Sequence, residues 1–432
     1  MRLTRVTALA GVATAATLML TSCSESPDNQ SVAAAAGDLS QCNAAETVLN
    51  ATFAKQGTDA MAVAVAQLEK KYPGITINAE PQTTTNYPEL SKGIVGDIAV
   101  GKRPDVIMSG LGQLRFWVDT YGPATIDVDS LSPTYQKQFL GAGTVDGKVY
   151  LAPAQISTPA LMVNQTLLDR AGAGKASDIK NYDDMVAAAK KVTATTGSPS
   201  VSIPTNTLTD WFGQGFVQGA GGTFINEDGS AGFGDATGIE ALSIWSTLAK
   251  DGLETNVNEQ DATANFFSGK AAMMVSTSSQ IANFRTNIGD KFDWEAVDLP
   301  TFNGQDGARP AGGNGWIVLS DDSCRAGFSQ ELVSALLSKE AVLAASGAAF
   351  SYIPVDTDAA KELLSAPGVT KQQQWAWTYD KPLTPWGGFD GKTTNQVTDT
   401  IAQMGQTLQT GADTASTVKQ TVETINSIVG QG

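Results

Sequence analysis

Short apolar runs alternate with amphipathic stretches of helix length from Thr47 onward. The first five elements set the pattern. We predict strands over 48–54, 75–79 and 105–108, and helices over 58–71 and 87–100. Strands that alternate with helices at this spacing indicate an α/β fold with a parallel or mixed sheet. Ligands of such sheets bind in the crevice beyond the strand ends, so the pattern also indicates where a site would lie.

A second set of elements begins after Pro159. We predict a strand over 161–163 and helices over 183–192, 239–250, 330–337 and 395–429. Domains usually contain about 100 to 200 residues, so a chain of 432 residues predicts two or three of them. We expect two α/β lobes, with more than one passage of the chain between them.

The chain contains no histidine, and its 44 acidic against 28 basic side chains give a net charge of −16. Without an imidazole there is no Ser-His-Asp triad, no Cys-His pair and no His-ligated zinc site. The negative charge argues against a nucleic-acid partner, because affinity for the phosphate backbone comes mainly from Lys and Arg. Residues 391–393 (GKT) resemble the end of a nucleotide-binding loop, but Trp386 stands where that loop needs a glycine. We therefore expect neither a metal nor a cofactor.

The N-terminus has the features of a lipoprotein signal peptide over residues 1–22. Two arginines precede an apolar run that is short for a membrane span. Residues 20–23 (LTSC) resemble the lipobox of bacterial lipoproteins, so we predict lipidation of Cys23 and a stable membrane anchor. A plain secretory peptide with an incidental cysteine is the alternative. Residues 23–43 are rich in small and polar side chains and are predicted to form a flexible tether.

Two further cysteines, Cys42 and Cys324, remain in the mature chain. In an oxidising compartment they could form a disulfide that joins the start of the folded region to a distant segment. We predict the disulfide, and two separate buried thiols are the alternative.

Four segments of the chain resemble a known family when they are taken together and in order. They are 146–153 (DGKVYLAP), 157–161 (STPAL) with Asn164, 267–273 (FSGKAAM) and 312–316 (GGNGW). The series is similar to the family 1 extracellular solute-binding proteins of ABC importers, the group that includes maltose- and glycerophosphodiester-binding proteins. The resemblance spans most of the mature chain.

The resemblance implies a two-lobe periplasmic-binding-protein fold of type II, like that of maltose-binding protein, with a ligand cleft between α/β lobes. Lobe 1 would comprise residues 44–156 and 311–354, and lobe 2 residues 157–310 and 355–432. A hinge would close the lobes over one ligand, and the closed state would be recognised by an ABC permease. The protein would then be a monomer, held by its lipid at the outer face of the bacterial cell membrane.

Within the family the chain is most similar to the glycerol-3-phosphate and glycerophosphodiester receptors. The candidate ligand-binding residues are Tyr87, Ser157, Trp211, Ser278, Ser279, Gly312, Gly313, Asn314, Tyr352, Trp386 and Phe389. Those receptors hold phosphate with an arginine near positions 386–389, whereas this sequence has none there. Because Arg is the natural bidentate partner of phosphate, we expect an uncharged saccharide or polyol, with a glycerophosphodiester as the alternative.

Trp211 and Trp386 are the aromatic candidates for stacking on a sugar. A flat indole covers the C–H face of a sugar ring while polar groups bind its hydroxyls. A core position on a helix is the alternative for Trp211, and packing against the final helices is the alternative for Trp386.

The predicted function is a receptor that delivers a small carbohydrate or polyol to a permease and catalyses nothing. One alternative is a glycoside-active lipoprotein that uses two carboxylates, because the separation of carboxylates is not visible in a sequence. A second alternative is a lipoprotein that senses a ligand without transporting it.

Overall fold

The computed structural model describes residues 32–254, 256–346 and 350–430. The predicted signal peptide and Cys23 lie outside the described residues. The strands are, in chain order, β1 (Val48–Ala54), β2 (Thr76–Gln82), β3 (Val106–Gly110), β4 (Thr144–Val145), β5 (Lys148–Val149), β6 (Ala152–Ser157), β7 (Pro159–Asn164), β8 (Val201–Ser202), β9 (Met273–Thr277), β10 (Trp294–Asp298), β11 (Arg309–Pro310), β12 (Gly312–Val318), β13 (Ile353–Pro354) and β14 (Leu383–Thr384).

The α-helices begin and end close to the predicted positions in the first part of the chain. They are α1 (Thr58–Lys71), α2 (Tyr87–Ala99), α3 (Leu114–Tyr121), α4 (Gln165–Ala171), α5 (Tyr182–Thr196), α6 (Thr209–Gly219), α7 (Ala236–Lys250), α8 (Glu259–Phe267), α9 (Ile281–Ile288), α10 (Ser323–Leu336), α11 (Lys339–Ser346), α12 (Thr357–Ser365), α13 (Lys371–Trp377), α14 (Thr394–Leu408) and α15 (Thr414–Val429). No helix in these described ranges is both long and apolar enough to cross a membrane.

The first lobe is built on a six-stranded mixed sheet of order β13-β6-β12-β3-β1-β2. Strand β1 runs parallel to β2 and β3, whereas β12 runs antiparallel to β3 and β6. Every residue of β3 is buried, as expected for a central strand covered on both faces. Phe53 and Trp316 meet edge to face in its core, with ring centroids 6.1 Å apart.

The second lobe is built on a four-stranded sheet of order β10-β7-β9-β8. Strands β7 and β9 are fully buried, and helix α6 contacts α7 and α14. Phe216 of α6 meets Trp245 of α7 edge to face, with ring centroids 5.5 Å apart. This arrangement gives the second lobe a hydrophobic core separate from that of the first.

Within the described residues, the chain passes between the two lobes three times. Only Thr158 separates β6 of the first sheet from β7 of the second, so Ser157 belongs to the first sheet. The chain returns between β10 and β12. In the third passage, Ala359 of α12 packs in the first core and Leu363 in a cluster of the second lobe. This last passage therefore lies within α12 and does not directly follow residue 354, where the sequence placed the lobe boundary.

The N-terminal segment is bound to the first lobe from residue 33 onward. The N–H of Ala33 donates to the carbonyl of Gly122 at 3.0 Å, and that of Gly37 to the carbonyl of Ser323 at 2.8 Å. Cys42 and Cys324 form a disulfide across a sequence separation of 282 residues. The flexible tether predicted for 23–43 therefore does not extend over residues 33–42, because backbone hydrogen bonds and the disulfide hold them.

The single helical stretch predicted over 395–429 is wrong in one respect. The structure has two helices there, α14 and α15, which pack against each other. Gly411 adopts a φ of +80°, which favours glycine, and Asp413 caps α15 by accepting from the N–H of Ser416 at 2.9 Å. Apolar positions that continue a helical period across a sharp turn explain the error.

Candidate ligand-binding site

A cavity of about 420 Å³ lies where the strand ends of the first lobe meet helix starts of the second. Its volume falls within the range of small-molecule sites. We call the following residues the first wall: Gln56, Thr85, Asn86, Tyr87, Pro88, Gly110, Gly112, Gln113, Ser157, Gly312, Gly313, Phe350 and Tyr352. We call the following the second wall: Asn206, Thr207, Leu208, Thr209, Asp210, Trp211, Glu259, Thr277, Ser279, Gln280, Trp386, Thr398, Asp399 and Ala402.

The first wall follows from the topology of the six-stranded sheet. Parallel strands β1 and β3 end at the same edge, and antiparallel β12 begins there. Gln56 follows β1, Gly110 ends β3, and Gly312 begins β12. The amide of Asn86 caps α2 by accepting from the N–H of Glu89 at 2.9 Å, and this cap sets the start of the helix beside Tyr87.

Eight of the eleven candidate binding residues line this cavity. They are Tyr87, Ser157, Trp211, Ser279, Gly312, Gly313, Tyr352 and Trp386. They come from seven separate stretches of the chain, which the fold brings together.

The structure places the other three candidates, Ser278, Asn314 and Phe389, behind the walls. The hydroxyl of Ser278 accepts from the N–H of Thr158 at 3.0 Å, so it holds the first passage between the lobes. The side chain of Asn314 is fully buried in the first lobe. Phe389 is 5% exposed and contacts the Phe224 ring, with centroids 6.2 Å apart, in the second core. Each is oriented by packing or hydrogen bonds that its local sequence does not reveal.

Gly312 and Gly313 of the first wall make room for neighbouring groups. A Cβ on Gly312 would lie 2.4 Å from Cζ2 of Trp211, so the indole occupies the space that a side chain would take. Gly313 has a φ of +103°, and its Cβ would lie 1.8 Å from the carbonyl oxygen of Gln155. Glycine is thus required at both positions for packing of the wall.

The two tryptophans of the second wall differ in exposure. Trp211 is 1% exposed, and its indole N–H donates to the carbonyl of Pro310 at 3.0 Å. Trp386 is half-buried, and its indole N–H donates to Oδ2 of Asp210 at 2.8 Å. Their rings are tilted by 44° with centroids 5.8 Å apart. Trp386 is therefore the ring with accessible surface, and Trp211 supports it from behind.

A hydrogen-bonded chain of side chains orients the tyrosines of the first wall. Nδ2 of Asn314 donates to Oε1 of Gln155 at 2.7 Å and to the hydroxyl of Tyr87 at 2.9 Å. The hydroxyls of Tyr87 and Tyr352 are 3.4 Å apart. Burial raises the pKa of Tyr352 well above its usual value, so its phenol stays neutral and available for hydrogen bonds.

The sequence reading missed several polar residues of the cavity, chiefly Gln56, Thr209, Asp210, Glu259 and Asp399. Gln56 could have been found, because a polar residue within two positions of the end of a parallel strand is the signal of a strand-end site. Burial raises the pKa of Asp210, and the indole N–H of Trp386 acts in the opposite direction. Glu259 and Asp399 lie on distant helices of the second lobe and carry no comparable local signal.

The walls contain no Lys or Arg among the residues that the structure describes. Over the same part of the chain, no group of three or more acidic or cysteine side chains has the arrangement to hold a metal ion. Arg115 lies two residues after Gln113 of the first wall. It is paired with Asp119 at 2.7 Å and with Asp146 at 3.6 Å. The cavity therefore offers rings, hydroxyls, amides and carboxylates.

Comparison with protein families gives one match over most of the chain. The profile described as bacterial extracellular solute-binding protein matches residues 63–376. A putative binding protein of Brucella abortus is 26% identical over 232 residues, or 51% of this chain and 55% of the relative. The maltodextrin-binding protein MdxE of Bacillus subtilis is 26% identical over 242 residues, covering 51% and 54%. The matched region thus spans about half the length of these relatives.

Solved structures of similar fold cover nearly the whole chain. The cyclic alpha-maltosyl-1,6-maltose binding protein of Arthrobacter globiformis aligns with a TM-score of 0.75 and 18% identity over 89% of this chain and 100% of its own. UgpB of Mycobacterium tuberculosis, in complex with glycerophosphocholine, aligns with a TM-score of 0.69 and 16% identity over 88% and 98%. The sugar-binding protein MalE of Xanthomonas citri aligns with a TM-score of 0.73 and 17% identity over 89% of this chain and 98% of its own. These alignments confirm the predicted two-lobe fold, like that of maltose-binding protein.

Proposed function

The chain belongs to the bacterial extracellular solute-binding proteins, and from that premise we propose that it captures a small carbohydrate or polyol and delivers it to the permease of an ABC importer. The family acts outside the cytoplasm. The proposal includes lipidation at Cys23, so that a monomeric receptor stays at the outer face of the cell membrane.

One observation carries this proposal: the cavity combines accessible aromatic surface with many hydroxyl and amide groups from both lobes. Trp386 and Tyr87 are half-buried rings on opposite walls. Ser157 and Ser279 contribute hydroxyls, and Asn206 an amide. Such a surface suits a sugar, because C–H faces pack on rings while each ring hydroxyl needs a polar partner.

The arrangement of the walls also suits a receptor that closes. The walls belong to different lobes, and the first passage between the lobes is the single residue Thr158. A ligand that touches both walls binds the closed state more tightly than the open one, so it shifts the population towards closure. The permease would recognise that closed state.

The absence of a cation on the described walls disfavours a phosphate-bearing ligand. A phosphate needs Arg, Lys or several free backbone N–H groups, and Arg115 is already held by two carboxylates. UgpB shares the fold, but the fold alone does not transfer its ligand. A glycerophosphodiester therefore remains an outcome of the test.

The experiment is a thermal-shift screen of the soluble chain, begun after Cys23, against mono- and disaccharides, polyols and glycerophosphodiesters. A ligand that binds only the native state raises the Tm. We expect stabilisation by a saccharide or polyol, and recovery of that ligand unchanged after prolonged incubation. Release of hydrolysis products would establish the glycoside-active alternative. Stabilisation by phosphodiesters alone, or by nothing in the panel, would contradict the proposed ligand class.

A gene deletion separates transport from sensing. Cells that lack the receptor should lose uptake of the stabilising ligand, and uptake should return with the wild-type gene. Unchanged uptake would favour the alternative of a sensing lipoprotein.

A further inference from the structure

The charged groups of the cavity all have one sign. The ionisable acids on its walls are Asp210, Glu259 and Asp399, and no Lys or Arg lines it within the described ranges. The sequence contains no histidine that could compensate. A ligand in this cavity therefore experiences a negative potential, which disfavours anions and stabilises cations.

Two of these carboxylates also have local structural roles. Asp210 and Glu259 lie in the first turns of α6 and α8, where acidic side chains stabilise helix N-termini. Asp210 accepts from Trp386, and Glu259 accepts from the hydroxyl of Thr207 at 2.8 Å. These contacts alone would account for both residues.

Asp399 has no such role. It lies beyond the first turn of α14, is exposed, and has no hydrogen-bond or ion-pair partner within the described part of the chain. It nevertheless lines the cavity together with Thr398 and Ala402 of the same helix. Its charge is thus free to act on whatever occupies the cavity.

A second, independent observation points to a ligand that donates hydrogen bonds. Oε1 of Gln56 and Oγ1 of Thr209 have no hydrogen-bond partner among the described residues, although the two residues are only 7% and 2% exposed. Both residues line the cavity. A buried acceptor without a partner costs about 1–3 kcal/mol. The carbonyl oxygen of Gln56 can only accept, so a ligand that satisfies it must donate.

We propose that the ligand is a saccharide with at least one protonated amine, such as an amino sugar or an aminocyclitol glycoside. This inference rests on the proposed function, because it specifies the ligand of the same cavity. The ammonium pairs with Asp399, and the rings of Trp386 and Tyr87 offer faces that attract a cation. The hydroxyls and N–H groups of the sugar donate to Gln56 and Thr209.

The experiment is calorimetric titration of the purified chain with matched saccharides that differ in one substituent. The probes are the β-1,4-linked disaccharides of glucosamine, N-acetylglucosamine and glucose, with the three monosaccharides, at about pH 6, where the amine is protonated. We expect a glucosamine probe to bind at least about tenfold more tightly than its acetylated and hydroxyl counterparts. That preference should fall as salt is added, because salt screens an exposed charge pair.

A variant pair assigns the preference to the cavity. Asp399→Asn should weaken the glucosamine probe at least about fivefold and leave the glucose probe within about twofold. Glu423→Gln is the matched control, because it removes the same charge from an exposed site on α15 that does not line the cavity. It should leave both affinities unchanged. Both substitutions are at exposed helical positions, so folding is preserved and is checked by the Tm.

The outcomes separate this inference from the proposed function. If the glucose or N-acetylglucosamine probes bind as tightly as the amine, or if Asp399→Asn weakens all probes equally, the inference is overturned while the receptor function stands. If none of these probes binds and no saccharide or polyol of the thermal-shift panel does, both proposals fail.

Discussion

The first wall of the cavity is formed by strand ends and backbone, whereas the second is formed by helix starts and side chains. In the first wall, the residue with a left-handed backbone is Gly313, and a glycine adopts that conformation at little cost in free energy. Asn314 holds the Tyr87 hydroxyl by a hydrogen bond. In the second wall, Leu208 adopts a φ of +56° and Thr209 has a buried hydroxyl without a described partner. A left-handed Leu costs about 1 kcal/mol or more.

This difference indicates a division of roles between the walls. The first wall has its left-handed backbone at a glycine and its tyrosine hydroxyls held by hydrogen bonds, although Oε1 of Gln56 has no described partner, so most of it forms a preorganised surface for a sugar. The second wall retains the strained backbone of Leu208 and the unpaired hydroxyl of Thr209, and it carries the carboxylates of Asp210, Glu259 and Asp399. A ligand can therefore gain more from contacts with the second wall, and selectivity among sugars should depend on it.

The largest expected effect concerns the rigidity of the first wall. Gly313→Ala should lower the free energy of unfolding by about 3 kcal/mol or more, because it combines a left-handed φ with a Cβ 1.8 Å from a backbone oxygen. Urea unfolding measures this change in the free energy of unfolding. Gly93→Ala is the control: its Cβ meets nothing within 4 Å, and replacing a glycine inside α2 should stabilise by about 0.5–1 kcal/mol. Similar effects of the two changes would contradict a rigid first wall.

The next effect concerns a buried carboxyl of the second lobe, whose partner Ile203 shortly precedes second-wall residues 206–211 in sequence. One carboxylate oxygen of Glu254 accepts from the N–H of Ile203 and from Nε2 of Gln409, each at 2.8 Å, and burial raises its pKa to about 8. At a pH between the two pKa values, Glu254 is protonated in the folded state but ionised in the unfolded state, where its pKa is about 4.5. Stability should therefore fall as pH rises from about 4.5 to about 8, by at most about 1.4 kcal/mol per pH unit.

Unfolding measured at several pH values across this window tests the prediction. Glu254→Gln keeps an acceptor for Ile203 but cannot ionise, so the variant should lose most of this slope. Parallel pH profiles for the wild type and the variant would show that Glu254 is ionised in the folded protein.

A smaller effect concerns the accessible ring of the second wall. Trp386→Ala should lower affinity for the stabilising saccharide about tenfold, or about 1.4 kcal/mol, since the ring's packing surface is lost. Trp211→Ala is a poor test, because that side chain is 1% exposed and its loss would disturb the fold. Trp375→Ala is the matched control, as it removes a half-buried tryptophan that does not line the cavity. Equal affinities of the wild type and Trp386→Ala for the saccharide would show that Trp386 does not stack on it.

The smallest effect concerns a single hydroxyl of the first wall. Tyr87→Phe removes the group that accepts from Asn314 and should lower affinity about threefold, as for one neutral hydrogen bond. Calorimetric titration measures the change, and Tyr150→Phe, away from the cavity, serves as the control. A loss of affinity larger than that caused by Trp386→Ala would contradict the proposed division of roles between the walls.

Much of the fold could be predicted because its signals are local. The alternation of apolar positions in β1 and α1 led to bounds that match the structure, since a period of two or of 3.6 follows from the backbone itself. The passage between lobes within α12 was not predictable, because Ala359 and Leu363 have the same helical pattern yet pack in different cores.

The site could be predicted only in part. Tyr87 and Ser279 lie at the start of a helix and beyond the end of a strand, positions that a topology argument can identify. Asn314 is one residue beyond Gly313, but it points behind the wall to Gln155. That orientation depends on the bulge between β12 and β6, which is a property of strand pairing.

The sequence by itself determined the α/β class, the order of the elements and the chemistry that the chain lacks, because periodicity and composition depend on neighbouring residues. Only the tertiary structure decided that Trp386 rather than Trp211 has an accessible ring, and that Glu259 and Asp399 join Gln56 at one cavity. These residues are far apart in the chain, and their meeting depends on packing of the two lobes, which no local pattern encodes.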